Sequence, residues 1–266
     1  MHPSLVCPVC REALTLFERT YACPRRHSFD LARRGYVNLL AGGPPAVGDN
    51  KEMLEARRRF LGAGHYAPLR EALVATARTL SDRHSTYLDV GCGEGYYTEA
   101  LGTTADATVA IDISKDALPL AARRLTGATL AVASAYRLPL ADASVSLLSC
   151  IFSPLATEEF LRVLAPGGFL LYVIPEARHL FELKSVLYDT PYENEVADTA
   201  LVGFTLVRDE PVTFRLDLDS REKIGDLFAM TPYYYRTPRA GRERLAALTS
   251  LSVGAEFRIL AYQKRP

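Results

Sequence analysis

Tryptophan is absent from the 266 residues, and only 3 methionines and 5 cysteines occur. No stretch comes near the ~18 consecutive apolar residues that a membrane span requires. The amino-terminal segment holds no uninterrupted apolar run of the kind a secretory leader carries, so a soluble, cytoplasmic protein is expected. Internal repeats and low-complexity tracts are missing too. With 48% hydrophobic and 23% charged positions, bulk disorder, collagen-like repeats and coiled coil are poor readings. Net charge is also lacking, because 31 Lys+Arg balance 31 Asp+Glu. That balance argues against a polyanionic partner until the chain is divided. Residues 1–80 hold 12 basic and 7 acidic side chains, an excess of 5, and residues 81–266 hold 19 and 24, a deficit of 5. A partner meets a face and not an average, so the asymmetry is the more informative quantity.

The cysteines are Cys7, Cys10, Cys23, Cys92 and Cys150. The first three, with His27, give Cys7-x2-Cys10-x12-Cys23-x3-His27, a spacing that can converge four ligands on one tetrahedral zinc ion. An odd cysteine count in a reducing compartment opposes disulfides. A segment of about 40 residues cannot build a sufficient core alone, so the metal is expected to nucleate its fold. Four protein ligands leave no open coordination position, which points to a structural ion. Residues 13–17 and 20–22 suit two short strands of a zinc ribbon. Arg25, Arg26, Arg33 and Arg34 surround the ligands, interleaved with Phe29 and Tyr36. Arginines beside aromatics suit phosphate contact and base stacking in single-stranded or looped RNA; a solvated basic face is the other reading.

Residues 41–50, AGGPPAVGDN, read as a linker. A helix is expected over 51–61, bearing Arg57, Arg58 and Arg59, and a second, amphipathic one over 66–80. Beyond it short apolar runs alternate with helical periods: strands at 86–90, 108–111, 129–133, 145–151 and 169–175, helices at 96–101, 115–124 and 157–163. This is the pattern of a doubly wound parallel sheet. Further helices are expected near 180–187, 221–229 and 239–249, and strands near 205–216 and 253–262.

After the first strand of that series stands Asp89-Val-Gly91-Cys-Gly93-Glu-Gly95. Glycines let a ligand approach the backbone at the carboxyl edge of the sheet. The spacing departs from a dinucleotide fingerprint, since Tyr96 stands where that motif needs its third glycine. Asp112 ends the next strand, where a carboxylate can take both hydroxyls of a ribose. Cys92 and Cys150 read as small apolar fillers.

The loop, Asp112, Ala133-Ser134 and Ala165-Pro166-Gly167-Gly168 together resemble the S-adenosylmethionine-dependent class I methyltransferases from about residue 66 onward. The resemblance implies that Gly91, Gly93, Glu94 and Gly95 contact the methionine part of the cofactor. It also implies that Asp112 holds the ribose and that Ala133 and Ser134 border the adenine. Joined to the ribbon, the segments HSFDLARRGYVNLL (27–40), ARRRFLGAGHYAPLR (56–70), GCGEGYYT (91–98), RHLFELK (178–184) and MTPYYYR (230–236) extend the match. The whole chain is similar to the bacterial 23S rRNA (guanine-N1)-methyltransferases. That family modifies a guanine in a hairpin loop of large-subunit rRNA, and its two sister branches modify neighbouring guanines, one in connection with macrolide resistance.

The implied fold is α/β: a Rossmann-like class I methyltransferase domain with a mostly parallel seven-stranded sheet and a small amino-terminal zinc ribbon. The implied organisation is an RNA-docking ribbon at 1–40, a linker and basic helix at 41–65, and a methyltransferase domain at 66–266. The implied partners are S-adenosylmethionine, structural zinc, a 23S rRNA hairpin and a second copy of the chain. Tyr66 either closes on the cofactor or packs. His179 either touches cofactor or substrate or is structural. Tyr233, Tyr234 and Tyr235 either stack on an extruded guanine or pack in a turn. Ile151-Phe152-Ser153-Pro154 follows the fourth strand, where base-modifying relatives carry an Asn/Asp-Pro-Pro-aromatic loop facing the target; here the amide or acid is absent and Ser153-Pro154 remains. No Asp, Glu or His is identified as a general base. Two competing readings are a small-molecule methyltransferase, in which the basic ribbon has no purpose, and a non-catalytic RNA assembly factor, which the intact glycine loop opposes.

Overall fold

The computed structural model describes residues 5–40, 50–196 and 198–265; the linker expected at 41–50 lies, apart from Asn50, outside the described residues. At the amino terminus β1 (Thr15–Phe17), β2 (Thr20–Ala22) and β3 (Ser28–Asp30) form a small antiparallel sheet. β4 (Tyr36–Asn38) leaves it and joins the main sheet. Then follow α1 (Lys51–Gly62) and α2 (Ala67–Leu80). The Asn50 side chain caps α1 by accepting from the Met53 N–H at 2.9 Å. Gly64, at φ +80°, turns the chain between the two helices, and a proline in the first turn of α2 is pre-set for helix entry.

The alternating part is β5 (His84–Val90), α3 (Tyr96–Gly102), β6 (Ala105–Asp112), α4 (Leu118–Arg124), β7 (Thr129–Val132), β8 (Val145–Ile151), α5 (Thr157–Val163) and β9 (Leu164–Pro175). The carboxyl-terminal part adds α6 (Phe181–Leu187), β10 (Phe204–Leu218), α7 (Arg221–Ala229), α8 (Tyr233–Arg236), α9 (Arg239–Ala247) and β11 (Leu251–Lys264). The main sheet runs β10-β11-β9-β8-β5-β6-β7-β4. Its β4 to β9 members pair in parallel, and β11 lies antiparallel to both β9 and β10. The chain fills one side of β5 with β6 and β7, then crosses back to place β8 on the other side. That reversal makes the carboxyl ends of β5 and β8 the switch point where ligands bind in open α/β sheets.

The sheet has eight strands among the described residues, not the seven expected, and the eighth comes from the ribbon. Tyr36, Val37 and Asn38 pair with Leu130, Ala131 and Val132 of β7. The ribbon is therefore not a bead on a string. Its Val6 N–H donates to the Pro139 carbonyl at 2.9 Å. Arg11 donates to the carbonyls of Leu138 and Leu140 at 3.0 and 3.1 Å, and Arg137 returns a bond to the Pro8 carbonyl at 2.8 Å. Leu5, Cys7, Leu14, Cys23, Val37 and Leu39 share one buried cluster with Leu138, Leu140, Phe160 and Leu170. A boundary at residue 40 divides the sequence but not the core. No helix among the described residues is long and apolar enough to cross a membrane.

Candidate metal centre and cofactor cleft

Tight turns after Cys7 and Cys23 fold the ribbon's ligands toward one another: the Arg11 N–H returns to the Cys7 carbonyl, and the Arg26 N–H to that of Cys23. Arg11 and Arg26 adopt positive φ of 65° and 66° to do so. The ligand atoms of Cys7, Cys10, Cys23 and His27 all lie within 4.8 Å of one another. Cys10 Sγ is 3.6 Å from Cys23 Sγ, and His27 Nδ1 is 3.5 Å from Cys7 Sγ and 3.4 Å from Cys23 Sγ. A tetrahedron around zinc, with bonds of ~2.3 Å to sulfur and ~2.0 Å to nitrogen, has edges of ~3.6–3.8 Å. The four side chains match that shape, and their Cys3His donor set is that of a closed structural site.

At the switch point Gly91, Gly93 and Gly95 take φ of 81°, 54° and 88°, a region that side-chain-bearing residues disfavour. Gly93 faces open space: a β-carbon there would find only Arg57 Nη1, at 3.9 Å. Its N–H donates to Asp112 Oδ2 at 2.8 Å, while the Ser114 N–H donates to Oδ1 at 2.8 Å. Asp112 thus clamps the loop to the end of β6. Glu94 is buried. Its Oε2 meets Arg124 at 3.1 Å, but its Oε1 is an orphan with no hydrogen-bond partner. An orphaned buried carboxylate oxygen beside an open glycine loop fits the cationic end of a zwitterionic cofactor such as S-adenosylmethionine. The Ala133 N–H bonds the Asp112 carbonyl at 3.0 Å, and the Ser134 Oγ accepts from the Tyr136 N–H at 3.2 Å, so both lie at the neighbouring strand end.

Beneath the loop Asp89 is buried. It accepts from Thr98 at 2.5 Å and from Ser149 at 2.7 Å, and Ser149 in turn shares a 2.7 Å bond with Tyr87. Burial pushes the Asp89 carboxyl up to about 6. This network ties β5, α3 and β8 together under the site.

Tyr66 closes the amino end of α2 and is packed edge-on against Phe60, Phe214 and Phe257 at 5.3–5.8 Å. His179 lies 4.4 Å from the Phe257 ring, and its Nδ1 accepts from the Glu256 N–H at 3.2 Å. Burial, and then the nearby Lys184 charge, pull it down to about 3, so it is a neutral acceptor. Both residues belong to one aromatic wall at the carboxyl edge of the sheet, together with Phe152, Tyr97 and Phe257.

The expected RNA contacts are placed differently from one another. Arg25, Arg26, Arg33 and Arg34 are all exposed on the ribbon, with Glu12 3.8 Å from Arg25. On α1 the three arginines diverge. Arg58 pairs with Glu55 at 2.9 Å, and Arg59 grips Asp226 with bonds of 3.0 and 2.5 Å. Arg57 faces the glycine loop, and Leu54 one turn earlier packs in a cluster with Cys92. So α1 packs beside the glycine loop and is not a free basic helix. Tyr233 is buried beside Tyr188 and Lys184, the packing alternative of the two open for it. Tyr234 donates to Glu52, and Tyr235, though exposed, donates to Met53 Sδ; both fasten α8 to α1.

Sequence reasoning gave Tyr97 and Arg57 no part in this cleft, and placed Phe152 in the loop after β8 without assigning its ring a role. Only the Tyr96-Tyr97 pair directly after Gly95 was a visible signal; a positive φ at Phe152 leaves none.

The comparisons bear on this architecture. Residues 5–42 match the zinc-ribbon family described as "RlmA, N-terminal", and residues 88–172 match a methyltransferase domain family. The 23S rRNA (guanine(748)-N(1))-methyltransferase of Streptomyces fradiae is 36% identical over 93% of this chain and 91% of its own length. A Micromonospora griseorubida protein provisionally named a 23S rRNA (guanine-N(1)-)-methyltransferase is 38% identical over 99% of both chains. Bacillus subtilis YxjB, provisionally named likewise, is 33% identical over 97% and 96%. Among solved structures, a provisionally named type II methyltransferase from Anaeromyxobacter dehalogenans superposes with a TM-score of 0.53 at 21% identity. It covers 73% of this chain and 95% of its own. At that identity it shows the fold alone.

Proposed function

This chain belongs to the 23S rRNA (guanine-N1)-methyltransferase family, and we propose that it methylates N1 of one specific guanine in a hairpin loop of 23S rRNA. It is an S-adenosylmethionine-dependent enzyme with a structural zinc ribbon. The observation that carries the finer reading is the welding of an arginine-bearing ribbon to the sheet that holds the cofactor loop. A ribbon sharing a core with the catalytic domain can hold an RNA loop in fixed register to the cleft. Neither a small-molecule enzyme nor an assembly factor has a use for that rigidity.

When bound, the cofactor supplies an electrophilic methyl group, so the protein's work is alignment. In this reading Gly91, Gly93 and Gly95 cradle the methionine part, Glu94 Oε1 receives its ammonium, and the Arg57 guanidinium faces its carboxylate. Asp112 takes the ribose hydroxyls, with Ala133 and Ser134 beside the adenine. Tyr66 and His179 line the aromatic wall without touching the reacting atoms. Arg25, Arg26, Arg33 and Arg34 carry the phosphate contacts, and Arg58 adds a fifth charge at the edge of α1. Transfer would make the N1–methyl bond as the sulfur–methyl bond of the sulfonium breaks, its electron pair staying on sulfur in the departing thioether, and the N1 proton would be released, for which no base is assigned. The family resemblance adds assembly as a homodimer, which light scattering reads.

The test is transfer of tritiated methyl groups to unmethylated 23S rRNA, followed by nucleoside analysis. Labelled N1-methylguanosine is expected, and label in any other nucleoside, or none, overturns the reading. Methylation at N1 blocks the Watson–Crick edge, so a reverse-transcription stop then locates the base. Comparison with guanine 748, the position in the name of the Streptomyces fradiae relative, distinguishes that site from its neighbours.

A further inference from the structure

Phe152 follows the last residue of β8, at the switch point, and two features there oppose stability. Its φ is +56°, which a bulky side chain disfavours. The residue is also 50% exposed, although aromatic side chains dominate cores. Neither feature is needed to hold the sheet. Ile151 before it is buried, and Ser153 after it anchors the loop by donating to the Val90 carbonyl at 2.6 Å. Backbone outliers of this kind concentrate at ligand sites, and this one stands at the carboxyl end of a central strand.

The ring is nevertheless held firmly. Phe257 lies 5.4 Å away with its plane tilted by 45°, and Tyr97 lies 6.3 Å away at 70°. Phe257 is fully buried, and Tyr97 rests edge-on against Tyr96 at 5.0 Å. The next residue, Ser153, abuts Gly91, the first glycine of the cofactor loop. The exposed phenyl face is thus one residue away from the loop that cradles the methyl donor.

We propose that Phe152 is the platform on which the target guanine stacks once it has left its loop. The proposal rests on the function given above. A phenyl face accepts any base by stacking, and here it holds the guanine plane at the sheet edge where the methyl group is presented. Of the tyrosines of α8, Tyr233 is buried, and Tyr234 and Tyr235 are bonded through their hydroxyls to α1 and not seated beside Gly91.

The experiment uses the full chain, zinc loaded, with unmethylated 23S rRNA transcript. Phe152→Ala removes the ring. Phe152→Asn also removes it but tolerates positive φ, which separates stacking from backbone strain. Loss of one base–aromatic stack corresponds to a fall in kcat/KM of about 10- to 100-fold, expected in both variants. S-adenosylmethionine affinity by calorimetry stays at the wild-type value. Phe152→Trp keeps a stacking face, retains most of the activity, and installs the sole tryptophan of the chain. Its fluorescence is quenched on addition of transcript and not on addition of S-adenosylmethionine alone. Wild-type kcat/KM in Phe152→Ala or Phe152→Asn overturns the proposal. So does a loss of cofactor affinity that parallels the loss of transfer, or unquenched fluorescence at saturating transcript. If wild-type protein makes no N1-methylguanosine, the functional reading itself has failed; quenching of the Phe152→Trp variant then still reports whether a base stacks there.

Discussion

Ser153 stands so close to Gly91 that a β-carbon on the glycine would collide with the serine's own and lie 2.9 Å from its Oγ. The glycine loop after β5 and the loop after β8 are in direct contact, with no room for a side chain between them.

Gly91→Ala is therefore expected to damage cofactor binding more than Gly93→Ala. Both place a side chain at positive φ, costing about 1–2 kcal/mol, but only at Gly91 does the new methyl group meet backbone-proximal atoms. Calorimetric titration should show cofactor affinity falling at least about tenfold further in Gly91→Ala than in Gly93→Ala, the equivalent of ~1.4 kcal/mol. Adding Ser153→Gly to Gly91→Ala should restore part of the loss, a coupling that a double-mutant cycle reads directly. Equal losses at the two glycines would contradict the contact.

The arginines of the ribbon and of α1 should separate by ligand. Arg57→Gln, at the glycine loop, is expected to weaken cofactor affinity about tenfold, since a charged hydrogen bond contributes ~1.5–3 kcal/mol. The double variant of exposed Arg33 and Arg34 to Gln should leave cofactor affinity unchanged. It should weaken RNA binding and lower the slope of log K against log salt by about 0.7 for each phosphate no longer neutralised. The reverse pattern would return Arg57 to the RNA face.

Removing zinc should affect the entire protein. The cysteine ligands Cys7 and Cys23 belong to the same buried cluster as Leu138 and Leu170, and β4 is hydrogen-bonded into the main sheet. A strong chelator is expected to lower the single calorimetric unfolding transition by several degrees and to weaken cofactor binding. Two separate transitions, with the larger one unmoved, would mean that the ribbon folds independently.

His179 should make the protein acid-sensitive. It is held neutral in the fold, pulled down to about 3 from an ordinary 6.5, so the unfolded chain binds the extra proton. Stability is then complete above about pH 6.5 and falls as pH drops toward 3, by about 1.4 kcal/mol per unit. Asp89, raised to about 6 from 3.8, acts oppositely, because the folded state binds the extra proton between those values. The readout is therefore the difference between wild type and His179→Gln. Chemical denaturation between pH 4 and 6.5 should show a shallower acid loss in the variant, and parallel profiles would refute the assignment.

Much of this arrangement was legible beforehand for definite reasons. The ribbon's ligands are close in sequence, so their spacing alone specifies a tetrahedral set, and Cys7, Cys10, Cys23 and His27 do converge. The glycine loop and Asp112 end adjacent parallel strands, a relation that apolar periodicity already implies, and the Gly93–Asp112 bond expresses it. The placement of the α1 arginines and the α8 tyrosines was not legible, because composition reports charge and aromaticity but not direction. Arg57 turns inward, Arg59 finds Asp226 across 167 residues, and Tyr233 sinks into the core.

The amino-acid order by itself determined which elements form, which side chains can hold zinc, and where a nucleoside-bearing cofactor can approach the backbone. Those properties rest on residues near one another in the chain. Tertiary structure alone decided that the ribbon's last strand completes the catalytic sheet, that α1 packs beside the glycine loop, and that a strained, half-exposed Phe152 stands near it. Each of those depends on contacts between segments far apart in sequence, whose geometry is settled only when the core packs. The zero net charge follows the same division: within the basic excess of residues 1–80, Arg11 and Arg59 are engaged by Leu138, Leu140 and Asp226 from distant parts of the chain, while Arg25, Arg26, Arg33 and Arg34 stay exposed on the ribbon.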